Sequence, residues 1–324
     1  MSDTRPVLVA VDGSPASTVA LRYGAVRAQA LGVPLRLIHV APTYLPLAAM
    51  APLGAAYMPE DFEAIGRTVL DAALTVAKTL LDEDRVSGTM VVGARAARII
   101  SAAHEARELI VGEDRMPLIE RLAGGSVVAS VAAGSDVPVI AVPETWSVDH
   151  EFEPRVVVGV KDYENVPTDF LRAAFKIAHE RGATLDIVYV WDLPSVYGDV
   201  VTSFMDDSKW QTTAAHFLRK AALGVNADFG DVRFQVVVAH GRPERILQER
   251  SNKATLMLLG RKAHGFPFGH FGHTGHGLLR SSACPIEVLP FAEKGPTSAD
   301  LAEGTSLPDP RVSESDRQAA VGVL

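Results

Sequence analysis

The sequence contains a single cysteine, Cys284, so the chain cannot form an intrachain disulfide. This agrees with a reducing compartment. No apolar run approaches the roughly 20 residues that a membrane-spanning helix needs. The first six residues, Met-Ser-Asp-Thr-Arg-Pro, are polar and lead directly into a strand-like run, so they do not resemble a signal peptide. From these features we expect a cytoplasmic protein with no membrane partner.

The chain also lacks an excess of positive charge. It carries 31 Lys and Arg residues against 39 Asp and Glu residues, and its net charge at pH 7 is −8. A polyanion such as DNA gains little from an acidic surface, so we expect no nucleic-acid partner. Hydrophobic residues make up 48% and charged residues 22%, which is an ordinary globular balance, and 324 residues suffice for about two domains.

An internal repeat organises the sequence. The runs Val7–Val11 and Val156–Val160 are short and almost wholly apolar, which is typical of strands buried on both faces of a parallel sheet. Each run is followed by a turn, a helix that ends at a glycine, and four more strands that alternate with helices. This succession predicts right-handed βαβ crossovers with helices on both sheet faces. We therefore predict two tandem α/β domains, each a five-stranded, doubly wound parallel sheet.

The boundaries follow from this pattern. The remaining predicted strands are Leu35–Val40, Thr89–Val92, Glu108–Val111 and Val137–Val142 in the first half, and Leu185–Val190, Phe234–Val238, Thr255–Leu259 and Pro285–Leu289 in the second. We predict a first domain over residues 1–143, a linker over 144–154, a second domain over 155–290 and a tail over 291–324. The tail is rich in Ser, Pro, Gly and charged residues, a composition typical of disorder.

Ligands of open parallel sheets bind beyond the carboxyl ends of the strands, where the strand order reverses. In the first half, Val11 and Asp12 end the first strand, and Val40 and Ala41 end the second. The Asp12 carboxylate could accept hydrogen bonds from ribose hydroxyls or from an adenine amine. These residues are therefore candidates for one side of a nucleotide site.

The loop 112–126 follows the fourth strand and supplies the other side of this site. Gly112 would let the chain leave the strand sharply, and Gly125 would let backbone approach a ligand closely. Ser126 then opens a helix that continues with Val127. A helix N-terminus with small residues binds phosphate readily, so the loop predicts a phosphate site.

A purely structural interpretation of these residues stays open. Asp12-Gly13-Ser14 is common turn chemistry, so Asp12 could cap a turn or a helix. Ser126 could equally be an N-cap with no ligand. Capping and binding can coexist at both positions.

The same residues resemble the universal stress protein family. Members of that family that bind ATP show Gly-x2-Gly-x9-Gly-Ser/Thr in this loop, together with an aspartate after the first strand. Gly112, Gly125 and Ser126 fall at the matching spacing and Asp12 is present, but Arg115 replaces the second glycine. The resemblance covers nearly all of residues 5–142 and 155–290.

The resemblance implies two Rossmann-like domains of the adenine nucleotide alpha hydrolase type. It further implies a stress-response protein that binds or senses ATP, or a related adenine nucleotide, in its first half. Arg115 could pair with a phosphate or fill the phosphate channel. The adjacent carboxylates Glu113 and Asp114 are candidates for holding Mg²⁺.

Assembly is also implied by the resemblance. In this family the last strand commonly pairs across a two-fold axis, so Val137–Val142 and Ile286–Leu289 are expected to join the two halves within one chain. Left unpaired, such apolar strand edges favour aggregation. A further homodimer of the whole chain is compatible with this arrangement.

The second half departs from the family pattern. Lys161 stands where the first half has its aspartate, and His273 stands where it has the serine that opens the last helix. Trp191 stands where the first half has an alanine, and we expect its indole to narrow an adenine pocket. We therefore expect the second half to bind ATP weakly or not at all and to serve as the partner surface of the first.

Histidines 264, 270, 273 and 276 lie close together in a glycine-rich loop of the second half. Their spacing could supply metal ligands, but a polar loop that uses histidine at turns and caps is the simpler interpretation.

Two other functions stay open beside nucleotide binding. One is a ligand-free structural protein that acts through protein contacts alone. The other is an enzyme, at most a slow ATPase. We find no convincing catalytic base and no Walker-type lysine motif. The only candidate carboxylate pair in the phosphate loop is Glu113 and Asp114, and adjacent loop carboxylates are more often solvated than metal-bound.

Overall fold

A computed structural model describes residues 3–42, 59–113, 126–149, 153–192, 207–230, 232–262 and 272–291, with residues 59–62, 207–209 and 262 described by their backbone only. All of these residues belong to one compact unit. None of the helices in these ranges is long and apolar enough to cross a membrane.

The elements of the two halves follow the same order. The first half contains β1 (Val7–Ala10), α1 (Pro15–Leu31), β2 (Leu35–Ala41), α2 (Pro59–Leu80), β3 (Val86–Val92), α3 (Arg95–Ala103), β4 (Glu108–Glu113), α4 (Val127–Gly134) and β5 (Val139–Pro143). The second half contains β6 (Arg155–Val160), α5 (Thr168–Glu180), β7 (Thr184–Trp191), α6 (Asp207–Asn226), β8 (Phe234–His240), α7 (Pro243–Ser251), β9 (Leu256–Lys262), α8 (Gly272–Ser281) and β10 (Ile286–Phe291).

The ten strands form one continuous sheet in the order β3-β2-β1-β4-β5-β10-β9-β6-β7-β8. Neighbouring strands within each half are parallel, so each half is the doubly wound α/β domain that the repeat predicts. The halves meet where β5 pairs antiparallel with β10, with Ile286 opposite Ala141 and Val288 opposite Val139. The last strands therefore pair within the chain, as the family resemblance implied.

The core is continuous across this junction. Val139 and Ala141 of β5 and Ile286 and Val288 of β10 are each at most 3% exposed, and they belong to one apolar cluster together with residues of both halves. Burial of apolar surface stabilises a fold by about 25 cal/mol per Å². The hydrophobic effect therefore holds the halves together in addition to the strand pairing.

The strand β3 is longer than the sequence predicts. It begins at Val86 rather than Thr89, and Val86 pairs with Leu35 of β2. This strand lies at one edge of the sheet, and Ser87 and Gly88 are exposed. A search for buried apolar runs misses such residues because an edge strand needs no continuous apolar sequence.

Capping residues set the two ends of α1. Ser14 is the N-cap, and its Oγ accepts a hydrogen bond from the Ser17 amide at 3.1 Å. The helix begins at Pro15, because the first helical position tolerates proline. At the other end Gly32 adopts φ +66°, a left-handed conformation that glycine reaches without strain.

The domain boundaries remain predictions. Phe291, which we predict within the tail, is the last residue of β10 and pairs with Lys262. Residues 292–324 lie outside the described residues, as do residues 150–152 of the predicted linker.

Candidate functional site

A cleft of about 230 Å³ lies at the carboxyl ends of β1 and β4. The strand order reverses between these two strands, which is where doubly wound sheets bind ligands. Six of the nine residues predicted for the site line this cleft: Val11, Asp12, Val40, Gly112, Ser126 and Val127. Ala41 is not among the lining residues, and Arg115 and Gly125 lie outside the described residues.

Asp12 organises the turn between β1 and α1. Its Oδ1 accepts a hydrogen bond from the Ser14 amide at 3.0 Å, so the structural role considered for Asp12 is present. Partial burial opposes ionisation of the carboxyl, but hydrogen bonds from Ser14 and Ser17 and the charge of Arg95 outweigh it and lower the pKa of Asp12. Asp12 is also exposed to solvent and lines the cleft, so an ionised acceptor is available there.

The end of β2 contributes Val40 and the buried His39 to the lining of the cleft. Ala41 does not line the cleft, and its carbonyl accepts a hydrogen bond from the Gly93 amide at 3.0 Å. His39, which is 9% exposed, donates through Nδ1 to the Val11 carbonyl at 2.8 Å. This bond ties the end of β1 to β2. Sequence reasoning missed His39, although a histidine within an apolar strand was a visible signal.

Gly112 has a different role from the one that the sequence suggests. The strand β4 does not leave the sheet at Gly112 but continues to Glu113, and Gly112 pairs with Val142 of β5. A Cβ atom at Gly112 would lie 2.5 Å from the carbonyl carbon and oxygen of Ala16. The glycine therefore lets the first turn of α1 pack directly on β4, next to the cleft.

Ser126 caps α4 at the opposite wall. Its Oγ accepts a hydrogen bond from the Ala129 amide at 3.2 Å. Val127 and Val128, the first two residues of the helix, also line the cleft. Amides in the first turn have no acceptor within the helix, and they carry the positive end of the helix dipole, which favours an anion at this wall.

The described lining includes two further charged residues. Arg95, the first residue of α3, is exposed at the cleft. Sequence reasoning missed it, although a cation directly after the third strand was a usable signal. Glu113 ends β4 and is 6% exposed. Its companion in the magnesium hypothesis, Asp114, lies outside the described residues.

A comparison with known families identifies the chain. The model of the universal stress protein family matches residues 3–143 and again residues 154–290. The chain belongs to the universal stress protein family. The resemblance predicted from the sequence is thereby confirmed.

Curated relatives show the same two-domain length. The universal stress protein Rv2005c of Mycobacterium tuberculosis is 28% identical over 292 residues, which cover 87% of this chain and 96% of the relative. Rv2623 of the same organism is 28% identical over 299 residues, covering 87% and 95%. A crystal structure of a universal stress protein from Archaeoglobus fulgidus is similar in fold, with a TM-score of 0.62 and 18% identity, and covers 89% of this chain and 99% of that one.

The second universal stress protein domain has a corresponding cleft of about 360 Å³, which Lys161 and His273 line. Trp191 does not line it, so the expectation that its indole narrows the pocket is wrong. Successive strand residues point to opposite sheet faces. Val188 and Val190 face the cleft, whereas Trp191 packs on the opposite side against His240, with ring centroids 4.2 Å apart.

The turn after β6 is not organised by Lys161, the residue that stands in the place of Asp12 in the sequence. Asp162, and not Lys161, organises it, because the Asp162 carboxylate accepts a hydrogen bond from the Glu164 amide at 2.9 Å. The second domain thus keeps the turn carboxylate but moves it one residue along the chain. This shift leaves Lys161 at the cleft.

The histidine hypothesis is tested only in part. His273 and His276 belong to α8, whereas His264 and His270 lie outside the described residues. Partial burial, with Arg280 and His273 nearby, lowers the pKa of His276. Within the described ranges no group of three His, Cys, Asp or Glu side chains is placed to hold a metal ion.

Proposed function

We propose that the first domain binds an adenine nucleotide, with ATP as the ligand, and that the second domain supplies the partner surface that completes the sheet. The observation that carries this proposal is the convergence of Asp12, Val40, Ser126 and Val127 on one cleft at the strand-order reversal. These residues come from separate strands and helices of the sequence. Membership of the universal stress protein family supports the same ligand class, by analogy.

The cleft suits a base and a ribose. Its apolar lining includes Ile38, Val40 and Ile99, surfaces on which a flat base can pack. The ionised carboxylate of Asp12 is an acceptor for ribose hydroxyls or for the adenine amine.

The size of the cleft supports a position of the phosphates outside its deepest part. Pockets for drug-sized ligands span about 300–1,000 Å³, and this cleft measures about 230 Å³. We propose that the base and ribose enter it and that the triphosphate extends over the first turn of α4, near Arg95. Because Asp12 and Glu113 also line the cleft, the proposal assigns phosphate binding to Arg95 and the α4 amides.

Thermal unfolding with and without ATP tests the proposal. A ligand that binds only the folded protein raises Tm. We expect ATP to raise the Tm of the unmodified protein and to have no effect on Asp12→Ala. The matched control is Asp162→Ala, which removes the corresponding turn carboxylate of the second domain. The proposal is overturned if millimolar ATP leaves the unmodified protein unchanged, or if Asp12→Ala responds as Asp162→Ala does.

A further inference from the structure

The described linings of the two clefts differ in charge. In the first, the described residues include two carboxylates, Asp12 and Glu113, and one guanidinium, Arg95. In the second, Lys161 and His273 are part of the lining, and no carboxylate is found among the described lining residues. The charged residues that line the second cleft therefore suit a different ligand from those that line the first.

Lys161 is available to an anion. It follows β6 directly and is exposed at the cleft. No ion pair in the described part of the chain involves it. The adjacent Asp162 carboxylate already accepts hydrogen bonds from the amides of Glu164 and Asn165 and from the Asn165 side chain.

The N-terminal turn of α8 also lines this cleft. Gly272, Thr274 and Gly275 all line the cleft. The first-turn amides of a helix lack acceptors within the helix, and the Thr274 hydroxyl is a further donor. Ammonium, hydroxyl and amide donors around one cavity match the oxygens of a phosphate group.

The rest of the cleft is apolar. Val188 and Val190 of β7 face it, with Leu247 of α7 and Leu259 of β9 alongside. Leu247 is 5% and Leu259 8% exposed, so these side chains form a packed wall. A cavity of about 360 Å³ with such a wall can hold the apolar body of a small ligand.

We propose that the second cleft binds a phosphate monoester with a compact apolar body, held by Lys161 and the first turn of α8. The carboxylate that Asp12 offers in the first cleft is replaced here by a cation, which favours an anionic group. The two domains would then bind different ligands. This inference does not depend on nucleotide binding by the first domain.

Isothermal titration calorimetry of the full chain with 1-naphthyl phosphate tests the proposal. We expect one equivalent to bind, and to bind more tightly than 1-naphthol, which lacks the anion, or inorganic phosphate, which lacks the apolar body. Lys161→Gln should weaken binding at least about tenfold, the effect of losing one charge-assisted hydrogen bond. Lys161→Arg keeps the charge and should retain binding.

Lys176→Gln is the matched control, because it removes an exposed lysine of the second domain that pairs with Glu180 and is not part of the cleft lining, and it should bind the probe as the unmodified protein does. Far-ultraviolet circular dichroism of each variant checks that it is folded. The proposal is overturned if the unmodified protein gives no binding heat with millimolar probe, or if Lys161→Gln binds the probe unchanged. It is also overturned if Lys176→Gln weakens binding as much as Lys161→Gln does, since the probe would then respond to the charge of the domain and not to the cleft.

Discussion

The Arg181 guanidinium donates a hydrogen bond through Nη2 to the Tyr23 hydroxyl, at 3.1 Å. Tyr23 belongs to α1 of the first domain, and Arg181 follows α5 of the second. Tyr23 is 4% exposed, and its ring also contacts Trp146 edge-on, with centroids 5.0 Å apart. Burial raises the pKa of Tyr23, and Arg181 and Arg27 oppose that rise. The two domains are thus joined by a buried polar contact as well as by the β5–β10 pair.

Tyr23→Phe should destabilise the chain by about 1–3 kcal/mol, because the partly buried Arg181 guanidinium loses an acceptor. The Arg181 Nε is already without a hydrogen-bond partner within the described residues. Urea unfolding measures the loss. Tyr163→Phe is the matched control, since the Tyr163 hydroxyl donates to the exposed Glu164 and its removal should cost less. Equal losses in the two variants would show that the interdomain hydrogen bond contributes no more to the free energy of unfolding than the control hydrogen bond does.

Glu287 should make stability depend on pH. This β10 residue is 3% exposed, and desolvation raises its pKa to about 7 from the ordinary 4.5. The charged groups around it are Glu108, Arg181, Arg27 and Glu180. Between these pH values the folded protein keeps a proton that the unfolded chain has released. The free energy of unfolding therefore falls as pH rises from about 4.5 to about 7, by at most about 1.4 kcal/mol per pH unit.

Glu287→Gln should remove this contribution. We expect chemical unfolding of the variant to show a flatter dependence on pH across that range than the unmodified protein. Glu105→Gln is the control, because the Glu105 side chain is 77% exposed and pairs at the surface with Arg36. A Glu287→Gln profile parallel to the unmodified one would refute the assignment.

Gly112→Ala should destabilise the fold by about 1–3 kcal/mol, the usual cost of overpacking. The added Cβ would meet Ala16 backbone atoms at 2.5 Å, and backbone cannot turn away as a side chain can. Thermal unfolding measures the change. Gly224→Ala is the control, because this exposed glycine of α6 has nothing within 4 Å of its Cβ position, and alanine favours a helix. The interpretation fails if Gly112→Ala is as stable as the unmodified protein.

Arg95→Ala should distinguish the binding of the ATP phosphates from the binding of the adenosine part. If Arg95 acts on the phosphates, the variant should bind ATP about tenfold more weakly, the effect of one lost charge-assisted contact. Adenosine should bind unchanged. Titration calorimetry with both ligands provides the measurement. Arg98→Ala is the control, because Arg98 lies on the same helix but donates to the Val92 carbonyl and is not part of the cleft lining. A loss of adenosine binding in Arg95→Ala would contradict this role.

Much of the fold can be predicted from the sequence because parallel strands buried on both faces produce apolar runs. Val156–Val160 shows this, since it differs from the observed β6 by one residue at its start. The exposed edge residues Ser87 and Gly88 lack such a signal, so the start of β3 was missed. The placement of Asp12 and Ser126 at one cleft follows from the fold, because the carboxyl ends of parallel strands meet at one sheet edge.

The duplication, the alternation of strands and helices, and the charge difference between Asp12 and Lys161 can all be recognised in the amino-acid sequence. Three-dimensional packing was needed to show that Arg95 lines the first cleft, that Trp191 lies on the other face of the sheet from the second, and that Glu287 is buried beside groups from both domains. The two kinds of feature differ in the sequence distance over which they are set. Strand and helix patterns are set by neighbours within a few residues, whereas burial and charge environment depend on residues such as Tyr23 and Arg181, which only packing brings together.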